Sequence, residues 1–176
     1  MTVLTQIKDK LAGSARAQEN QYAGDQDRPL GGYVLTMSVY TALVGAIAGA
    51  AKLTGREVPE RISAPDIVLS AVATQKLSRL IARDSVTSPL RAPFTSYQGV
   101  AGPAELHEDV RGQGVRKTIG ELVTCPFCTS VWIATGFTAG LIYLRRTTRL
   151  AMGTLTALAG SDLLQYGQAW LQDATS

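Results

Sequence analysis

The chain is poor in charge, histidine and cysteine, and each shortage excludes a class of protein. Only 18% of its 176 residues are charged, and it has one histidine and two cysteines. Two cysteines cannot support a disulfide-rich secreted domain. The sequence also lacks a P-loop, a dinucleotide-binding glycine motif, a Ser-His-Asp arrangement and an HExxH helix. These absences leave no reaction or substrate that the sequence itself identifies.

Charge is missing altogether from two stretches that are long enough to cross a bilayer. Tyr33–Ala51 and Pro126–Leu144 each have 19 uncharged residues, and a helix of that length spans roughly 28 Å. Two more apolar segments follow the capping signal at Ser63 and the basic turn at Arg149. Because lipid forces backbone hydrogen bonds to close locally, we predict an all-α integral membrane bundle of about four helices, near 33–53, 64–83, 126–145 and 149–171.

The polar segments divide the chain around this membrane domain, which we place at residues 33–171. Residues 1–32 form a polar N-terminal tail, and residues 172–176 form a short C-terminal tail. Val3, Leu4, Ile7 and Leu11 share one helical face, which indicates an interfacial amphipathic helix or a frayed end. Residues 18–29 are polar and predict a loop. The first apolar run begins at Tyr33, too late for a secretory signal peptide.

The net charge of +3 and the isoelectric point near 9.0 fit an anionic membrane surface or nucleic acid. Lysine and arginine cluster beside the apolar runs, which favours the membrane and predicts no nucleic-acid partner. We therefore expect a multi-pass protein of the cell membrane. The N-terminal tail and the long loop are expected on the cytoplasmic side.

The long connection between the second and third predicted helices, residues 84–121, is rich in proline and glycine, which argues against long regular elements. Its charges have both signs, so they can either pair and order the loop or bind lipid phosphates; we prefer pairing. Asp162, in the middle of the last apolar segment, needs a partner at that depth, and Arg79, Lys76 or Arg83 is the natural candidate. It is a structural ion pair or, less favoured, a proton or ion site. The residues assigned to this polar network or to lipid headgroups are Lys76, Arg79, Arg83, Asp84, Arg91, Glu121 and Asp162.

Two Gly-x-x-x-Gly pairs predict close helix packing. Gly45 and Gly49 lie in the first membrane helix, and Gly136 and Gly140 lie in the third. Small residues at this spacing let another helix approach closely in a membrane. One pair is expected to pack inside the bundle, and the other against a second copy or another membrane subunit.

Both cysteines lie in the turn Cys125-Pro126-Phe127-Cys128, which opens the third predicted helix. A thiol at a helix N-terminus can be redox-active, but a second cysteine pair that would relay electrons is missing. The pair could instead be half of a zinc or iron–sulfur site, with weak help from His107 or a second protomer. His107 lies among acidic residues and is more simply a solvated loop residue. The third interpretation, preferred here, is structural.

Two strings resemble a family of small bacterial membrane proteins that is known only as a domain of unknown function. They read Arg-Asp-x-Val-Thr-x-Pro-Leu-Arg-Ala-Pro-Phe from Arg83 to Phe94, and Gly-Glu-Leu-x-x-Cys-Pro-x-Cys from Gly120 to Cys128. The similarity extends from about Tyr33 to Trp170. It implies an integral membrane protein and no particular activity.

We therefore expect a non-catalytic accessory or assembly subunit of a membrane complex, whose partners are the bilayer and other membrane subunits or itself. The alternatives are a membrane thiol–disulfide oxidoreductase and a metal-binding cysteine knuckle completed by a second protomer. No cofactor is predicted for the accessory subunit. A quinone or zinc enters only with the alternatives.

Overall fold

The structure is a computed structural model that describes residues 3–24 and 28–175, and the described chain is mostly helical. Its elements, in order, are α1 (Val3–Ala23), α2 (Leu30–Leu53), α3 (Ala64–Arg83), a 3-10 turn (Ser85–Thr87), α4 (Ser88–Arg91), β1 (Thr95–Gly102), β2 (Glu105–Val110), α5 (Val115–Thr124), α6 (Pro126–Tyr143) and α7 (Arg145–Thr175).

Helices occupy all four segments for which the sequence predicted them. The second runs from Ala64 to Arg83, with the bounds predicted, because Ser63 accepts a hydrogen bond from the backbone N–H of Asp66 at 3.3 Å and so caps its first turn. Only Leu144 separates α6 from α7. The predicted start of the last helix at residue 149 was therefore too late by about one turn.

The tail is more helical than predicted. Helix α1 continues to Ala23, so the loop expected from residue 18 is wrong over that stretch. Alanine, glutamine and glutamate between residues 15 and 19 favour helix, and no proline interrupts them. The proposed amphipathic face cannot be assessed, because the side chains of Val3, Leu4 and Leu11 lie outside the described residues.

The all-α prediction needs one correction, since the long connection contains a β-hairpin and a helix. Strands β1 and β2 pair antiparallel from Thr95↔Val110 to Gly102↔Glu105. The prolines and glycines do not prevent the pairing, because they lie at its ends and at irregularities in its register. Gly99 lies where the register shifts, and Ala104 closes the turn at φ 62°.

The four-span membrane bundle is not confirmed. Among the described helices, only α2 is by itself long and apolar enough to cross a membrane, and α5 with α6 passes the same test as a pair bent by 81°. Helix α3 fails because Lys76, Arg79 and Arg83 lie in its second half. Helix α7 begins in an arginine cluster and contains Asp162 and Asp173.

Helix α3 is the centre of the packing and lies mainly against α6 and α7. Ala73, Ala82 and Met152 are fully or almost fully buried there, and the two alanines allow the helices to approach closely. Helix α2 touches the rest of the chain at few points. The Tyr143 hydroxyl donates to the carbonyl of Ile47 at 2.7 Å, while most apolar side chains of α2 remain exposed.

Candidate functional site

The string from Arg83 to Phe94 forms a corner that is built around a buried guanidinium. Arg91 is 0% exposed, and its donors reach the carbonyls of Ile81 at 2.7 Å and Asp84 at 2.9 Å. It also pairs with Glu108 of β2, whose side chain is only 6% exposed. Arg91 thus caps the C-terminal end of α3 and holds the hairpin against it.

Neighbouring residues complete this Arg91 corner. Thr87 accepts a hydrogen bond from Arg91 at 2.8 Å and donates to the carbonyl of Leu80. The Ser85 N–H donates to the carbonyl of Ala104 in the hairpin turn at 2.9 Å. The polar groups of the corner are therefore satisfied by one another, and the longest motif of the sequence has a structural use.

A second polar cluster borders a cavity of about 630 Å³ between α3, α7 and the hairpin turn. Lys76 Nζ lies 2.5 Å from Asp162 Oδ2, and Arg79 pairs with Glu105 at the start of β2. The structure thus brings Asp162 to a cation of α3. Asp84 lines the same cavity, and its carboxylate accepts the N–H of Val86 at 3.1 Å. Arg83 ends α3 beside the Arg91 corner.

A third charged cluster lies at the opposite end of α3. Asp66 is 3% exposed and lies 2.9 Å from Arg149 Nε and 3.2 Å from Arg145 Nη2. The hydrogen bond from Ser63, followed by the two guanidinium groups, lowers the pKa of Asp66 in spite of its burial. The capping signal identified Asp66 in the sequence, but nothing in the pattern indicated its arginine partners.

The cysteine turn lies where α5 and α6 meet. Cys125 caps the start of α6, and its Sγ accepts the N–H of Cys128 at 3.2 Å and the S–H of Cys128 at 2.7 Å. Thr129 donates to the carbonyl of Leu122 at 2.8 Å, which fixes α5 to the first turn of α6. Both thiols are free, and Cys128 is exposed. The fold thus presents two adjacent sulfur atoms at the surface.

The cysteine turn forms one wall of a groove of about 600 Å³ between α2, α5 and α6, which we call the cysteine groove. At its polar end, the Tyr33 hydroxyl donates to Glu121 at 2.6 Å, and Arg28 lies 3.7 Å from the same carboxylate. Along its apolar part, the rings of Tyr40 and Trp132 meet edge to face at 5.2 Å. The sequence did not indicate this groove, because α2 lies about 90 residues before the cysteines along the chain.

The structure does not bring His107 to the cysteines. His107 lies on β2, exposed, with Nε2 3.8 Å from Asp109. Among the described residues, no group of three or more histidine, cysteine, aspartate or glutamate side chains could hold a metal ion. Within the part of the chain that the structure describes, no further side chain joins Cys125 and Cys128 in such a group.

The two glycine pairs have different surroundings within one copy of the chain. A Cβ on Gly140 would lie 2.4 Å from Thr148 Oγ1, so this glycine is needed where α6 turns into α7. Nothing lies within 4 Å of the corresponding position at Gly45, Gly49 or Gly136. These three therefore present open small-residue surfaces, and their role in association stays a prediction.

Comparison with known proteins agrees with the family resemblance. A segment of 71 residues is 39% identical to the sporulation protein YjcA of Bacillus subtilis (strain 168), covering 39% of this chain and 60% of that protein. The chain thus matches less than two thirds of that relative's length. No solved structure matches.

The hairpin corner, the cysteine turn and most of α3 and α7 lie within one family match, whereas α2 precedes it, so the resemblance expected from Tyr33 is supported only from residue 69. The chain belongs to the family described as "Protein of unknown function (DUF1360)", which matches residues 69–168. This range contains both strings on which the resemblance rested, the one around Arg91 and the one that ends at Cys128. The family description assigns no activity.

Proposed function

We propose that the protein is a membrane-anchored accessory or assembly subunit, with α2 as its principal membrane helix. The observation that carries this proposal is the exposed surface of α2. The most apolar window of this 24-residue helix has a mean hydropathy of 1.7, and only 6% of that window is buried. In water so large an apolar surface favours association or aggregation. A bilayer or another membrane helix would cover it.

The polar side chains of α2 support burial in lipid. Thr36, Ser38 and Thr41 each donate their hydroxyl to the backbone carbonyl four residues earlier, at 2.8–3.0 Å. A hydroxyl satisfied within its own helix does not need water, so the helix can enter the bilayer at low cost. The bent pair α5–α6 is the second proposed membrane element.

A membrane partner would contact α2 through Gly45 and Gly49, which no other part of the described chain approaches. The absence of a Cβ at both positions would allow another helix to come close, and close approach is the main source of helix association in lipid. The proposed occupant is a transmembrane helix of another subunit or of a second copy.

The test replaces both Gly45 and Gly49 with isoleucine in the full chain and measures assembly size in native membranes by gentle solubilisation and crosslinking. We expect the double variant to lose the higher-mass species. Leu43→Trp is the control, because it adds bulk to α2 on the side away from these glycines. If the double variant keeps the higher-mass species, or if the Leu43→Trp control loses them equally, the Gly45–Gly49 face is not the contact.

The proposed orientation places the N-terminal tail and the long loop of residues 84–121, which contains the hairpin, in the cytoplasm; it requires α3 to cross the membrane back after α2. The tail and the long loop together have eight lysine and arginine residues, and the short connections around residues 52–61 and 145–149 have six. The positive-inside tendency therefore favours the cytoplasm for the tail and the loop. Protease treatment of inside-out and right-side-out vesicles distinguishes the two orientations. Cleavage of the hairpin only in right-side-out vesicles would reverse the assignment.

A second candidate function is thiol–disulfide exchange at the cysteine turn, and the adjacency of the two thiols, with Cys128 exposed, favours it. In this function, a partner dithiol would reduce an internal Cys125–Cys128 disulfide and become a disulfide itself. The partner thiolate would attack the exposed sulfur of Cys128, and Cys125 would leave as the thiolate at the start of α6.

Differential alkylation tests this second function. The purified protein is equilibrated with a water-soluble disulfide such as hydroxyethyl disulfide, and its free thiols are counted by mass before and after reduction. We expect both thiols to disappear together and to return on reduction. The Cys125→Ser and Cys128→Ser variants should instead accumulate mixed disulfides. A wild-type protein whose thiols remain alkylatable would exclude the exchange.

A further inference from the structure

We propose that the cysteine groove binds a lipid-soluble quinone and that the Cys125–Cys128 dithiol reduces it. This inference rests on the second candidate function and adds an oxidant to it. It is carried by three features that converge in one place: a dithiol, an apolar groove and a helix whose apolar side chains are exposed. It also rests on the proposal that α2 is a membrane helix.

The position of the groove selects a lipid-soluble occupant. Met37 is 70% exposed on α2 and lines the groove together with Val131 and Leu122. The mouth of the groove is therefore continuous with the uncovered apolar surface of α2. A ligand that enters from this side partitions from the bilayer, as an isoprenoid quinone does and a soluble peptide does not.

The walls of the groove fit a planar ring with polar oxygens at its ends. Tyr40 and Trp132 provide aromatic surface, with their rings at 74° to each other, and Tyr40 is held by a 2.8 Å hydrogen bond to Thr135. The Tyr33 hydroxyl at the other end can turn from Glu121 to donate to a quinone carbonyl. One end is thus polar and the remainder apolar.

The reaction balances without a further reactant. The two S–H bonds of Cys125 and Cys128 break and one S–S bond forms, which releases two electrons and two protons. The quinone accepts both electrons and both protons, one proton on each oxygen, and becomes the hydroquinone. A dithiol is a two-electron donor and a quinone a two-electron acceptor, so one encounter completes the step.

The test uses the full chain, reduced and freed of reductant, in phosphatidylcholine nanodiscs without oxygen. Decylubiquinone is added, and its reduction is followed by its ultraviolet absorbance while free thiols are counted by alkylation. We expect stoichiometric loss of quinone and of both thiols, and no reduction by the Cys125→Ser variant.

Two tryptophan substitutions on α2 locate the site. Thr36 lines the groove, so Thr36→Trp should slow quinone reduction on the order of tenfold or more by displacing the ring. Ser38→Trp adds the same bulk two residues further along α2, outside the groove lining, and should react as the wild type does. Oxidation of both variants by hydroxyethyl disulfide should be unchanged, which shows that their thiols remain intact.

The outcomes separate the two proposals. If hydroxyethyl disulfide forms the internal disulfide but the quinone is not reduced, thiol–disulfide exchange stands and the quinone inference fails. If Thr36→Trp reduces the quinone as fast as the wild type, the groove is not its site and the inference also fails. If neither oxidant forms the disulfide, both proposals fall together.

Discussion

The Arg91 corner and the cysteine groove contain the two sequence strings that resemble the family. They use their polar groups in opposite ways. In the corner, the guanidinium of Arg91 is wholly buried and its donors meet carbonyls, a hydroxyl and a carboxylate of the same chain. In the groove, Cys128 is exposed beside about 600 Å³ of open volume. The first arrangement leaves nothing for a ligand, and the second leaves sulfur atoms accessible.

This difference shows that the length of a motif is a poor guide to chemistry. The long string around Arg91 ends a helix and attaches a hairpin, which requires many specific side chains because every buried polar group needs a partner. The cysteine turn requires only two sulfurs, a proline and a helix start. Substitutions in the cysteine turn therefore test function, and substitutions in the string around Arg91 test stability.

The largest expected effect is at Arg91. Replacing it with alanine leaves Glu108 buried without its partner and the end of α3 uncapped, which should cost about 3–5 kcal/mol of unfolding free energy. Limited proteolysis should then cut within the β1–β2 hairpin before it cuts elsewhere, and thermal unfolding should begin at lower temperature.

Arg111→Ala is the matched control for this change. Its guanidinium donates to the carbonyl of Ala92 at 2.8 Å on the exposed surface, so its loss should cost about 1 kcal/mol or less. Equal destabilisation by the two variants would mean that the Arg91 corner does not have the special role assigned to it here.

A smaller effect is expected at the groove, where α2 meets α5. A Cβ on Gly32 would lie 1.9 Å from Thr118 Oγ1 and 2.9 Å from its Cβ, so Gly32→Ala should separate the helices at a cost of about 1–3 kcal/mol. Gly31→Ala is the same change one residue earlier on the same helix, in open space, and should instead stabilise by less than about 1 kcal/mol. The unfolding free energies of the purified variants are compared in one detergent. A change of the same sign in both variants would contradict the close contact between Gly32 and Thr118.

The smallest effect concerns Asp66. Its carboxylate is buried like the guanidinium of the Arg91 corner, but its arginine partners are partly exposed. Its pKa is lowered below the ordinary value of 3.8, so its charge stabilises the fold above that value, and this contribution is lost as the pH falls through the lower folded-state pKa. Asp66→Asn should therefore flatten the fall in stability below about pH 4. Unfolding curves of wild type and variant over that range provide the measurement, and parallel curves would refute the assignment.

Local signals in the sequence were sufficient for the helices that have clear ends. Ser63 and Pro126 predicted the starts of α3 and α6, because a side-chain cap and a proline in the first turn act within a few residues. The hairpin was missed because strand pairing between Thr95 and Val110 depends on contacts with α3 rather than on local propensity. Proline and glycine at its ends then looked like breakers of structure.

The number of membrane helices was predicted less well. Apolar runs were counted as spans although α3 and α7 carry charges. The sequence predicted that Asp162 pairs with a basic residue of α3, but it could not select Lys76 from Lys76, Arg79 and Arg83. In the groove, the sequence showed the two cysteines but not Tyr33, Tyr40 or Trp132 around them. Nothing in the spacing of those aromatic residues distinguishes a groove wall from a lipid-facing surface.

By itself, the sequence determined the helix starts, the apolar character of α2 and the adjacency of the two thiols, since each depends on residues that are close along the chain. Only the tertiary structure decided that Arg91 is buried, that Asp66 faces two arginines of α7 and that α2 closes one side of a groove on the cysteines. Those features join residues 17 to 95 positions apart. Their energies depend on burial and on the geometry of the partner, which no local pattern records.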